Sequence, residues 1–171
     1  MYDVIPYYAA KILGDSPVFL ILPNILTLIV YFGIGFTLEF IKYIKFLGSI
    51  SLEFQSSIAL GYFISCSFSE SSIAVMMAPL LAMPLVVSGG FFVNSERMIF
   101  LVKAVQYISP IFYNFAALVD NEWGDDDANR IKEFLALDKT YAECLITMAA
   151  IVCVCHIISC TMLRLMIKRF Q

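Results

Sequence analysis

The chain has 171 residues, 61% of them hydrophobic and 15% charged, with a net charge of −3. Soluble domains run at about 45–50% apolar and about 25% charged residues, so this composition excludes an ordinary soluble fold and places the chain in a membrane. The acidic balance gives no support to a nucleic-acid partner.

The N-terminal stretch MYDVIPYYAAKILGDSP has no basic region leading into an apolar run, so it does not read as a signal peptide. Tyr7, Tyr8, Ile12 and Leu13 against Lys11 predict a short interfacial helix over residues 1–16. The uncharged run between Asp15 and Glu39 predicts a first membrane span over 17–36. Pro23 falls in its first turns, where a missing backbone donor costs least. Gly33 and Gly35 allow another helix to come close near its far end.

Residues 37–45 form a short charged link, and a second span is predicted over 43–67. That span carries Glu53 and Gln55 at depth. A carboxylate there costs several kcal/mol unless paired or protonated, so it should face the bundle interior. The competing reading starts the helix later and leaves Glu53 near the interface. The link 67–72 is so short that the second and third spans must be antiparallel neighbours.

The third span, 71–93, lies in SSIAVMMAPLLAMPLVVSGGFFVNS, which holds no charge. A crossing needs about 20 apolar residues. Pro79 and Pro84 interrupt the stretch, Gly89-Gly90 breaks it, and Phe91-Phe92 follow. A lipid-facing anchor needs none of these features. Pro79, Met83 and Val86 fall three to four residues apart, on one helical stripe.

Residues 95–143 predict an extramembrane or partly re-entrant loop. RMIFLVKAVQYI reads as a helix stopped by Ser109-Pro110. IFYNFAALV is too short to cross and suits a re-entrant or interfacial helix. Asp120, Glu122, Asp125, Asp126 and Asp127 lack the alternation of a calcium loop and read as a solvated acidic loop. The last span is predicted over 144–163, and Arg164, Lys168 and Arg169 after it mark a cytoplasmic end. Four spans put both termini on that side.

All five cysteines lie in or beside apolar spans, so no disulfide framework is expected. Cys153, His156 and Cys160 share a helical face and are chemically suited to zinc or copper, but no fourth ligand is evident, and packing is the favoured role. No metal site is therefore assigned. With one histidine, inside a span, no nucleophilic catalytic arrangement is expected, and no catalytic residue is assigned.

At SGGFFVN the sequence resembles the C-terminal part of the membrane domain of ABCG-type (white-type) ABC transporters. Other blocks agree in order: YYAAKILGDSP with LPNILTLIVYFGIGF, FQSSIALGYFISCSF, PLLAMPLVVSGGFFVN, and QYISPIFYNFAALVDNEW. The resemblance implies an all-α integral membrane fold with four transmembrane helices, family helices three to six, and re-entrant helices in the loop before the last. It implies that Phe91 and Phe92 form a valve or plug on a dimer axis, hinged at Gly89 and Gly90. It implies a substrate cavity at Pro79, Met83 and Val86. The family commonly has a polar residue near Gln55, but no matching carboxylate is recognised at Glu53. Without the resemblance, the glycine break reads as a helix end with interfacial aromatics, and the stripe as helix packing.

The family's nucleotide-binding domain has no counterpart here. No GxxxxGK[ST] loop occurs, so ATP and magnesium are expected on that missing domain and no cofactor in this chain. The chain is expected to be a fragment or truncated gene model, or to work with a partner that supplies the rest. The implied function is the membrane-spanning part of an ATP-driven half-transporter, in a homo- or heterodimer, exporting lipids, sterols or other hydrophobic compounds. The alternative is a stand-alone four-helix membrane protein acting as a structural or accessory subunit. Membrane lipid is a partner in either case.

Overall fold

The structure, a computed structural model, describes residues 4–91, 100–123, 133, 137 and 139–170. The described residues form helices and connections, with no strand among them. In chain order the helices are α1 (Val4–Ile34), α2 (Phe40–Ser67), α3 (Ser71–Val87), α4 (Phe100–Gln106), α5 (Pro110–Glu122) and α6 (Tyr141–Phe170). Two of them are long and apolar enough to cross a membrane: Val4–Ile34, and Tyr141–Ile167 within α6. Helix α3 is a shorter apolar helix of 17 residues.

The first helix differs from its predicted bounds. No separate interfacial helix precedes it, because α1 runs unbroken from Val4 through Pro17 and Pro23. The charges that suggested a boundary neutralise one another locally. Lys11 Nζ lies 2.9 Å from Asp15 Oδ2, one helical turn away, and Tyr62 Oη on α2 donates to the same oxygen at 2.8 Å. The helix stops at Ile34 because Gly35 takes a left-handed φ of 77°. Phe36 N then donates back to Tyr31 O at 3.4 Å, the closing bond of a glycine-terminated helix end.

Helix α2 packs most extensively on α6 and also touches α1, α3 and α5. Ser49, Ser56 and Ala59, all fully buried, line one face of it. Small side chains at such spacing let helices approach closely where lipid offers no hydrophobic drive. Across α1 and α2, Ser51 Oγ donates to Asn24 Oδ1 at 3.0 Å.

The best-packed region is around α5. Phe112, Tyr113, Ala116, Ala117 and Val119 of this short helix are buried with Leu137, Cys144 and Met148, and Leu52 and Ile151 pack against them. Helix α5 thus sits between α2 and α6. Its C-terminal end is fixed to the α1–α2 link and the first turn of α2: Thr37 N donates to Glu122 Oε1 at 2.9 Å, and Asn121 Nδ2 donates to Lys42 O at 2.9 Å. At the opposite end of the bundle, Tyr8 near the start of α1 and His156 of α6 share a hydrogen bond of 3.0 Å.

Candidate functional site

The glycine break closes α3 and meets the start of α5. Ser88 N bonds to Pro84 O at 3.0 Å, and Gly89 N tightens onto Val86 O at 3.1 Å. Leu85 O is thereby passed over by the backbone, one of the carbonyls every helix end leaves without an intrahelical partner. Two hydroxyls satisfy it: Ser88 Oγ at 3.0 Å, and Ser109 Oγ at 2.9 Å from the residue that precedes α5. One serine therefore joins the end of α3 to the start of α5.

Both glycines are buried and closely surrounded. A Cβ on Gly89 would lie 2.9 Å from Ile111 Cγ2 and 3.0 Å from Val86 O. Gly90 has φ 84°, a left-handed backbone, and a Cβ there would lie 3.3 Å from the Phe112 ring. The break is thus held by α5 against close packing, and only glycine fits it without strain.

Phe91 follows with 68% of its surface exposed. Its ring meets Phe115 of α5 edge-on, with centroids 5.9 Å apart and planes at 87°. Phe92 lies outside the described residues, as do Asp125, Asp126 and Asp127. Pro79, Met83 and Val86 are all exposed, and α3 buries no residue at all. Within this chain the stripe faces outward.

Glu53 and Gln55 are both half-buried on α2. Because α2 begins at Phe40, Glu53 is 13 residues into the helix, about 20 Å along it. The helix therefore does not start later than predicted. Among the described residues Glu53 Oε2 is enclosed with no hydrogen-bond partner, and Ser56 Oγ donates to the Glu53 main-chain carbonyl at 2.7 Å. Glu53 and Gln55 are not brought to the glycine break by any contact in the described structure.

Cys153, His156 and Cys160 do not converge, and no group of three or more His, Cys, Asp or Glu does so among the described residues. His156 turns instead to Tyr8, and its ring lies 6.1 Å from that of Tyr62. The solvated acidic loop also needs correction at two positions. Asp120 Oδ2 accepts from Tyr141 N at 2.8 Å and so caps the start of α6. Glu122 Oε1 accepts from both the backbone N–H and the hydroxyl of Thr37, at 2.9 and 3.1 Å.

The residues that sequence reasoning missed are therefore Ser109, Ile111, Phe112, Asp120 and Glu122. One signal was present: Ser109-Pro110 is a helix-start pair, with proline at the first helical position. Tyr113 is similar. Its hydroxyl donates to Tyr107 O at 3.0 Å, which ties α5 back to the turn before it. Replacing Glu122 by alanine should lower stability by about 1 kcal/mol, the usual net worth of a hydrogen bond. In a chain of this size that is a fall of about 2–4 °C in the melting temperature. Glu122→Gln keeps an acceptor oxygen and should lose less than half as much in the same thermal scan.

Comparison with known proteins agrees with this architecture. The family model for ABC-2 type transporters matches residues 1–123, from α1 to just past α5. The chain is 30% identical to protein white of Drosophila melanogaster over 131 residues, 77% of this chain and 19% of that protein. It is 31% identical to protein white of Ceratitis capitata over 125 residues, 73% of this chain and 18% of that protein. It is 26% identical to ABC transporter G family member 1 of Dictyostelium discoideum over 129 residues, 73% of this chain and 16% of that protein. The chain spans about a fifth of the length of these curated relatives. With residues 1–123 matched and white and ABCG proteins as relatives, this membrane chain belongs to the ABC-2 type transporter family, in its white-type ABCG branch.

Proposed function

We propose that this chain is the membrane-spanning part of an ATP-driven ABCG-type half-transporter, and that its glycine break is the hinge of an outward gate. In this reading the chain supplies four spans: α1, α2, α3 and α6. Helices α4 and α5 are the re-entrant pair before the last of them, and the termini are cytoplasmic. The observation that carries the reading is the seat of Gly89 and Gly90 on Ile111 and Phe112. It couples the end of an exposed apolar helix to a short helix that is itself anchored at its other end on the α1–α2 link.

Two features support a re-entrant α5. Its 13 residues are too few to cross. It also lies along α2 from Lys42, which bonds Asn121, down to Leu52, which packs on the α5 core. From Lys42 to Leu52 is about 15 Å along α2, taking 1.5 Å per residue, which supports a start of α5 well below the link.

Helix α3, with no side chain buried inside this chain, is then the helix that faces the axis of a dimer. Pro79, Met83 and Val86 line the cavity on that axis. Methionine suits a cavity for flat, hydrophobic cargo because it adapts its shape and demands no hydrogen bonds. Phe91 and Phe92 from two half-transporters close the cavity by dewetting, as apolar constrictions do. ATP and magnesium would act on a nucleotide-binding domain, and the drive would reach Phe91 through movement of α3 at its glycine hinge. The cargo class is lipids, sterols or similar hydrophobic molecules, moved outward.

The test is export of a lipophilic dye by the complete transporter with Phe91→Ala and Phe92→Ala together. We expect the ATP-dependent export rate to fall by at least half while surface expression stays level. Unchanged export would remove the valve assignment.

A further inference from the structure

Ser109 serves a helix other than its own. It is the residue before α5, where a serine ordinarily accepts from the N–H of the second or third helical residue. In α5 those residues are Ile111 and Phe112, after Pro110 at the first position. Ser109 makes no such capping bond. Its hydroxyl, on a fully buried side chain, goes instead to Leu85 O at 2.9 Å, 24 residues earlier in the chain.

Leu85 O is open to Ser109 only because the backbone skips it. In an unbroken helix Gly89 N would bond to Leu85 O, four residues back. Here it bonds to Val86 O, three residues back, at 3.1 Å. Gly90 then turns left-handed, with φ 84°. Glycine takes right-handed backbone about as readily as left-handed, so both positions can return to α-helix. Gly89 N would then take Leu85 O, and Gly90 N would take Val86 O. Ser88 Oγ would keep its bond to Leu85 O, because hydroxyls bond to carbonyls three residues back within a helix. Ser109 would lose its acceptor and be released to cap α5. Each bond broken in this exchange has a replacement. What holds the present form is the Ser109 bond itself and the seat of the glycines on Ile111 and Phe112.

We propose that Ser109 is a positioning residue for the gate, a latch with two states. Latched, it bonds Leu85 O, and α3 ends at the glycine break. Released, it caps α5, and α3 runs on through Gly89 and Gly90. That extension carries Phe91, whose ring meets Phe115 in the latched form, around the axis of α3. The use of the latch in transport rests on the gate reading given above; the exchange of bonds does not.

The test is amide hydrogen exchange of the complete transporter, read by mass spectrometry, without nucleotide and after trapping with ATP, magnesium and vanadate. Extension places the amides of Gly89, Gly90 and Phe91 in regular helix. We expect peptides covering residues 88–91 to exchange at least about threefold more slowly in the trapped form. Ser109→Gly removes the hydroxyl, yet glycine caps nearly as well as serine. It therefore weakens the latched state more than the released one, and should slow the same peptides without nucleotide. Ser109→Thr keeps both bonds and should match the parent. The sign decides between a latch and a plain anchor, because removing an anchor speeds exchange at the end of the helix it holds. Faster or unchanged exchange of residues 88–91 in Ser109→Gly would overturn the proposal. Equal exchange of the parent in its two forms would overturn it without any variant. Slowed exchange, with export unchanged by Phe91→Ala and Phe92→Ala together, would uphold the latch and remove only the valve.

Discussion

Substituting valine for Gly90 should cost about 3 kcal/mol and lower the melting temperature of the purified protein by about 6–12 °C. Two effects add. The backbone at Gly90 is left-handed, with φ 84°. A residue with a Cβ pays about 1–2 kcal/mol there, and a β-branched one is a genuine outlier. The Cβ would also lie 3.3 Å from the Phe112 ring, and forcing extra atoms into close packing costs about 1–3 kcal/mol. The order of loss should be Asn, then Ala, then Val, because asparagine tolerates the left-handed region best. Pairing Gly90→Ala with Phe112→Leu should recover the packing part and leave the backbone part. At Gly89 the recovery should be smaller. Ile111→Ala removes the 2.9 Å contact, but Val86 O stays at 3.0 Å and is already bonded by Gly89 N. A Gly90→Val protein that melts with the parent would show that the left-handed turn against Phe112 is not the native arrangement.

This break was also the most legible part of the sequence. Two adjacent glycines and two phenylalanines, in a run of 25 residues without a charge, have no use in a plain anchor. The all-helical class was equally legible, because apolar runs of that length leave no other way to satisfy backbone groups in lipid. What could not be read was the partner of the break. Ile111 and Phe112 look like any apolar pair in IFYNFAALV, and only folding places them against residues some twenty positions earlier.

Charges misled in two ways, for physical reasons. Lys11 and Asp15 looked like a boundary, although an ion pair one turn apart is compatible with a continuous helix. Asp120 and Glu122 looked like part of an acidic loop because Asp125, Asp126 and Asp127 follow closely. Their acceptor duty depends on Tyr141 and on Thr37, 85 residues from Glu122, and neither separation leaves a local signature. The Cys153, His156 and Cys160 face was correct as helical arithmetic, but His156 was drawn to Tyr8 on another helix.

The remaining large effect concerns Met148. It is fully buried in the second turn of α6 and packs in the cluster that holds α5, with Phe112, Tyr113, Ala116 and Ala117. Truncating a buried methionine to alanine costs about 2–5 kcal/mol in soluble cores, from lost transfer energy plus the cavity left behind. In a bundle surrounded by lipid the transfer part shrinks, since lipid tails are as apolar as the side chain. The expected loss for Met148→Ala is therefore about 2 kcal/mol, near the low end, with a fall of about 4–8 °C in melting temperature. Met162→Ala, on the same helix but exposed, should change stability by less than about 0.5 kcal/mol. The consequence for the gate is more specific. Loosening α5 frees the surface on which Gly89 and Gly90 rest, so Met148→Ala should make the seat tolerant. Gly90→Ala should then cost less in the Met148→Ala background than alone, by at least about 0.5 kcal/mol in a double-mutant cycle. Strict additivity would mean that the α5 core and the glycine break move independently, and the coupling proposed for the gate would fail with it.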